Sequence, residues 1–156
     1  KRGRKHVLRV IVEILNYRGR RERTHLKEPL EFVSRVARRR SVVFLISDFL
    51  DHGFEHALSV AARRHDLIPI VLTDPMESQL PNLGLTTFQD PESGELNVVD
   101  TASRRVREHF RQRWERESAE REKMFRRLSL DFVKVKTNES YIEPLAAFFR
   151  MRAKRH

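Results

Sequence analysis

A hydroxyl and a carboxylate recur at the ends of two apolar runs. Ser47-Asp48 closes the run 42–46, with Asp51 close behind, and Thr73-Asp74 closes the run 67–72. Hydroxyl and carboxylate oxygens are the donors that a hard cation such as Mg²⁺ takes, and such an ion keeps several waters. The ending S-D-F-L-D also resembles the carboxylate nucleophile site of a metal-dependent phosphoryl-transfer enzyme, with Asp48, Asp51 and Asp74 as its acids. Against that chemistry, no glycine-rich phosphate loop and no paired Lys or Arg is expected near this pole. His52 and His56 stand four apart with Glu55 between them. They form no H-E-x-x-H motif, and His52 falls before the helix, so both read as surface histidines.

The elements that position these groups follow from periodicity. Val42–Ile46 is short, continuous and rich in β-branched residues, the pattern of a strand buried on both faces. Leu67–Leu72 repeats it, and Phe54–Arg64 between them reads as a helix. Strand, helix, strand at this spacing is a right-handed crossover of a parallel sheet. Ligands of open α/β sheets bind at the carboxyl ends of the strands, where Ser47, Asp48 and Asp51 lie. Upstream, 6–17 and a stretch opened by Thr24 as N-cap read as amphipathic helices. Leu85–Gln89 and Leu96–Thr101 flank a Pro/Ser/Gly turn as a β-hairpin. Ala102–Leu128 is a long helix whose Val106, Phe110, Trp114, Phe125 and Leu128 are expected to face the sheet. Its i,i+4 pairs, among them Arg113–Glu117 and Glu117–Arg121, mark a solvated outer face. Asp131–Lys136 reads as a third parallel strand and Tyr141–Met151 as a closing helix that buries Ile142, Leu145, Phe148 and Phe149. The predicted class is α/β, a partial doubly wound, Rossmann-like parallel sheet with flanking helices and an inserted hairpin.

Charge is segregated along the chain. Residues 1–40 hold 14 Lys and Arg against 4 Glu, 41–103 hold 2 Arg against 10 Asp and Glu, and 104–156 hold 16 Lys and Arg against 8 Asp and Glu. The net +10 therefore lies at the two ends, and the stretch carrying Asp48 is acidic. An acidic centre suits a cation or repels phosphate. The basic residues 1–40, including the loop R-G-R-R-E-R, lack interleaved aromatics, so they predict at most weak, non-specific nucleic-acid binding. With no cysteine there is neither a disulfide framework nor a thiolate metal site. No apolar run approaches the roughly 20 residues that span a bilayer.

Four stretches together carry a family resemblance. They are T-H-L before a helix, V-V-F-L-I-S-D-F-L-D, H-D-L-I-P-I-V-L-T-D-P, and the run from L-P through F-Q-D-P-E-S-G-E to V-D-T. They resemble the carboxyl-terminal half of the bacterial family called domain of unknown function 58, which is similar to von Willebrand factor A (vWA) domains. The resemblance covers essentially the whole chain, and 74–101 is its most specific part. It implies a vWA-like sheet with a metal-ion-dependent adhesion site built from a D-x-S-x-S motif, a Thr and an Asp. Thr24 matches that Thr and Asp48 that Asp, with Asp51 and Asp74 as further candidates. No D-x-S-x-S occurs here, so the expectation is a single vWA-like domain fragment, 1–156, whose first strands lie upstream of Lys1.

The resemblance implies a non-enzymatic, metal-assisted protein-interaction module. Mg²⁺ or Mn²⁺ would bind the full-length protein, with little tight binding by this fragment. A AAA+ ATPase of the MoxR type is the implied partner, in assembly or maturation, and no specific nucleic acid is implied. The expected location is cytoplasmic, with membrane tethering through upstream sequence. A bare, apolar edge on strand 42–46 would be a liability. It is expected to be covered by helix 6–17, by a second copy or by strand pairing, which makes it a place for self-association.

Overall fold

The computed structural model describes residues 3–17, 25–89 and 94–155. The order is α1 (Arg4–Asn16), α2 (Lys27–Val36), β1 (Val42–Ser47), α3 (Glu55–Arg64), β2 (Asp66–Thr73), α4 (Pro75–Ser78), β3 (Leu85–Gln89), β4 (Leu96–Asp100), α5 (Arg104–Arg127), β5 (Val133–Lys136) and α6 (Ile142–Ala153). The class is α/β, as the pattern predicts. Three parallel strands run in the order β1-β2-β5, and β3 pairs antiparallel with β4 as a separate hairpin. The single-turn α4 has no counterpart in the sequence reading. Its cap is built from Asp74 and Glu77, and Pro75 fits its first position.

Helices cover the two faces of the sheet unequally. On one face Leu67 and Val71 of β2 pack with Leu26 and Leu30 of the α2 end, Leu58 and Ala61 of α3, and Phe125 of α5. Phe49, Phe125 and Phe132 meet there at centroid distances of 5.2 Å. The other face holds Ile68 and Ile70 of β2, Val133 and Val135 of β5, and Phe148 of α6. There α6 lies over β2 and β5 and reaches β1 through an edge-on contact between Phe149 and Phe44, 6.1 Å apart. Arg152 fastens the end of α6 to Asp66 with hydrogen bonds of 2.7 and 2.8 Å.

This layout corrects the reading of β1. The strand is not buried on both faces: Val43 and Leu45 turn to the core, while Val42, Phe44 and Ile46 are exposed. Among the described residues only β2 has a ladder partner on each side, so within them β1 is an edge strand. Nor does α1 cover it, because no residue of α1 is buried. Two helices also bury less than their patterns predict. In α6 Phe148 is buried, but Ile142 and Phe149 are exposed. In α5 only Ser118, Arg121 and Phe125 are buried. Phe110 and Trp114 line a cleft instead.

Among the described residues no helix is long and apolar enough to cross a membrane.

Candidate functional site

The carboxyl end of β1 is a tight turn. Ser47 Oγ accepts the Phe49 amide at 3.0 Å, and Asp48 Oδ1 accepts the Leu50 amide at 3.2 Å and the Ser47 hydroxyl at 3.3 Å. Phe49 is forced to φ 58, a left-handed conformation that is unfavourable for a bulky residue. Its ring is 5 % exposed and packs on Phe54 and Phe125, so burial offsets the backbone strain. The effect is to drive Phe49 into the core and leave Asp48 at the rim. The Asp48 Oδ2 atom has no hydrogen-bond partner among the described residues.

The other carboxylates are committed to backbone. Asp51 does not cap α3, whose N-cap is Phe54 with no side-chain bond. Asp51 Oδ2 instead accepts the Leu26 amide at 2.7 Å, at the amino end of α2, and Oδ1 accepts the His52 amide at 2.7 Å. A carboxylate at a helix amino terminus satisfies an orphan amide and faces the positive end of the dipole. Asp74 Oδ1 accepts the Met76 amide at 2.8 Å, and Oδ2 accepts the Thr137 hydroxyl at 2.9 Å. Thr24 lies outside the described residues, as does the loop 18–23. Among the described residues no three His, Asp or Glu side chains converge as a metal group. His52 and His56 are exposed, in line with the sequence reading.

One residue of the pole escaped the sequence reading. Arg121 leaves the solvated face of α5, where a pair with Glu117 is expected, and is 9 % exposed. Its Nη1 donates to the Asp48 carbonyl at 2.9 Å and its Nη2 to Ser118 Oγ at 3.5 Å. Burial pushes its pKa down, and the Asp48 carboxylate is the largest influence in the opposite direction. So a single buried arginine stands at the pole, and the solvated Glu117–Arg121 pair expected on the outer face of α5 is replaced by this inward contact. The only signal for it is small Ser118 one turn earlier, which leaves room for the side chain to turn inward. The surface pairs Arg113–Glu117 and Glu122–Arg126 form as predicted, at 2.8 and 3.1 Å.

Beside this turn lies a cleft of about 550 Å³ between the β1–α3 connection and α5. Phe54, Phe110, Trp114 and Met124 give it apolar walls, and Asp51, Glu55, Glu120, Arg113 and Arg127 add charge of both signs. It can seat apolar side chains and engage polar groups at its rim.

The family model described as protein of unknown function DUF58 matches residues 1–120. The chain is 26% identical over 131 residues to an uncharacterized protein of Mycobacterium avium, covering 83% of this chain and 77% of that one. It is 36% identical over 73 residues to uncharacterized proteins of Mycobacterium bovis and Mycobacterium tuberculosis, covering 46% of this chain and 23% of each relative. No solved structure matches the chain.

Proposed function

The chain belongs to the DUF58 family of proteins of unknown function, and on that premise we propose that it is a non-enzymatic protein-interaction module. Its binding pole is the cleft beside Asp48. The supporting observation is that cleft itself: an aromatic and aliphatic wall with charged margins, adjoining the turn whose Asp48 backbone carbonyl is held by the buried Arg121. Aromatic walls with charged margins suit the anchor residues of a protein partner. Asp51 and Asp74 hold backbone amides, so they serve as struts and not as an acid–base pair.

The likeness to vWA domains supports a metal-assisted version of this reading. The described residues do not build a cation site on their own, because Asp48 Oδ2 is the one free oxygen that the three aspartates offer. Mg²⁺ or Mn²⁺ would therefore be a property of the longer protein, with Asp48 and Thr24 as this chain's contribution. The partner suggested by the resemblance is a AAA+ ATPase of the MoxR type.

Two measurements test the proposal. In calorimetry, the longer protein should bind Mn²⁺ at least about tenfold more tightly than this chain. Equal affinities would remove the shared metal site. In a binding assay against a MoxR-type ATPase, Asp48→Ala and Trp114→Ala should each weaken binding about tenfold or more, with unfolding midpoints unchanged. Wild-type affinity in both variants would remove the cleft as the interaction site.

A further inference from the structure

The edge of the sheet opposite Asp48 gathers cations from three separate stretches of chain. β1 and β2 are parallel and begin together, with Val42 beside Asp66. The Asp66 amide donates to the Ser41 carbonyl at 2.9 Å. That bond sets the α2–β1 connection, with Arg38, Arg39 and Arg40, next to the end of α3, with Arg63 and Arg64. The Arg152 hydrogen bonds to Asp66 bring the carboxyl end of α6, with Lys154, to the same edge. All six side chains are exposed, and among the described residues none of them forms an ion pair. Asp66 and Asp131 are already taken by Arg152 and Arg155. Helix ends account for only part of this charge. α2, α3 and α6 all terminate here, and a helix carboxyl terminus is worth about half a negative charge. Three termini offset about 1.5 of the six charges, so an excess of about 4.5 positive charges faces solvent.

We propose that this edge docks on a membrane surface rich in anionic lipid headgroups. Such a surface is held by charge alone, and roughly four to eight clustered cations suffice. The arrangement favours lipid over nucleic acid. A duplex groove admits the side of a helix or a pair of strands, but here the helices present only their carboxyl ends. A single strand is held by aromatic stacking, and no Phe, Tyr or Trp lies in 38–41, 63–66 or 152–155. A plane of headgroups asks only for cations on one level, which the ends of parallel elements supply. A further strand beside β1 would widen the sheet sideways and leave this edge open. Docking in this way turns Asp48 and its cleft away from the lipid, because they lie at the opposite end of β1. The proposal does not depend on what the cleft binds.

The test is co-sedimentation of the 156-residue chain with vesicles of phosphatidylglycerol and phosphatidylcholine at about 0.1 M salt. The chain should partition onto them, and binding should fall steeply as salt rises. Each cation at an anionic surface is worth about fivefold, so the triple change Arg38→Gln, Arg39→Gln, Arg40→Gln should weaken partitioning about 100-fold. The comparison is Arg104→Gln, Arg105→Gln, Arg116→Gln, which removes the same charge from exposed positions of α5 before Arg121. It should change partitioning by less than about threefold. All six positions are exposed, so unchanged unfolding midpoints confirm that both variants fold. No partitioning of the wild type onto these vesicles overturns the proposal. Equal losses in the two triple variants also overturn it, because net charge and not this edge would then be responsible. Equal binding to pure phosphatidylcholine would do the same. Duplex DNA that binds more tightly than the vesicles at the same salt, and is lost in the 38–40 variant, would assign the edge to nucleic acid and overturn it as well.

Discussion

β1 and β2 lie side by side in one ladder and are built from nearly the same residues, yet one is an edge and the other the centre of the core. Leu67, Ile68 and Val71 of β2 are 1–3 % exposed, while Val42, Phe44 and Ile46 of β1 are 48–59 % exposed. The difference does not lie in the strands. Among the described residues β2 has a strand on each side and helices over both faces, whereas β1 has one ladder partner and α2, α3 and α5 over one face. Burial is thus set by neighbours, and a continuous apolar run records only what the environment tolerates.

Substituting an aromatic on each side tests that contrast with the largest expected effect. Phe125→Ala removes a fully buried ring in contact with Phe49 and Phe132 and should cost about 3–5 kcal/mol in urea unfolding. Phe44→Ala in the dilute chain should cost less than about 1 kcal/mol. If the two costs were equal, the outer face of β1 would be covered in solution and the contrast would fail. A Phe44→Ala cost that grows with protein concentration would sharpen it into a statement about association.

The same contrast explains which parts of the fold could be read from the sequence. The crossover from β1 through α3 to β2 was legible because its polar punctuation, Ser47-Asp48 and Thr73-Asp74, stops each run at the observed end. The hairpin was legible from its Pro/Ser/Gly turn, and β5 from its alternation. Exposure of β1 and α1 was not legible, since periodicity marks an apolar face without saying whether anything meets it. At the pole, Asp48 was placed correctly at the carboxyl end of β1. The job of Asp51 was hidden, because its partner Leu26 is 25 residues away in sequence. Arg121 was hidden more deeply. It sits in a dense run of charge, and only the fold shows that it turns inward to the Asp48 carbonyl, 73 residues distant.

The aspartates of the pole offer a smaller version of the comparison. Asp51 holds two backbone amides with both oxygens, and Asp48 holds one amide and keeps Oδ2 free. Asp51→Ala should therefore cost about 1–2 kcal/mol, the range for losing a helix-terminal acceptor and leaving amides unpaired. Asp48→Ala should cost less than about 1 kcal/mol. Thermal unfolding of both variants decides the matter. If Asp48→Ala were the more destabilising, Asp48 would be a structural strut and a poor choice for a binding residue.

The smallest expected effect comes from the surface side of α5. Glu122 accepts from Lys134 of β5 and from Arg126, which ties the long helix to the edge strand opposite β1. Its carboxyl pKa is held below the ordinary value, first by the Lys134 hydrogen bond, while partial burial acts the other way. A carboxylate whose pKa is lower folded than unfolded stabilises the fold at pH above the unfolded value, about 4.3 for Glu. That contribution shrinks as pH falls through the folded pKa, where both states are protonated. Lys134 is 49% exposed, so solvent screens the pair, and Glu122→Gln should cost only about 0.5 kcal/mol at pH 7. The difference from wild type should vanish on acidification below the unfolded value. A penalty that persisted in acid would mean that Glu122 acts through packing, and that the tie between α5 and β5 is held by shape and not by charge.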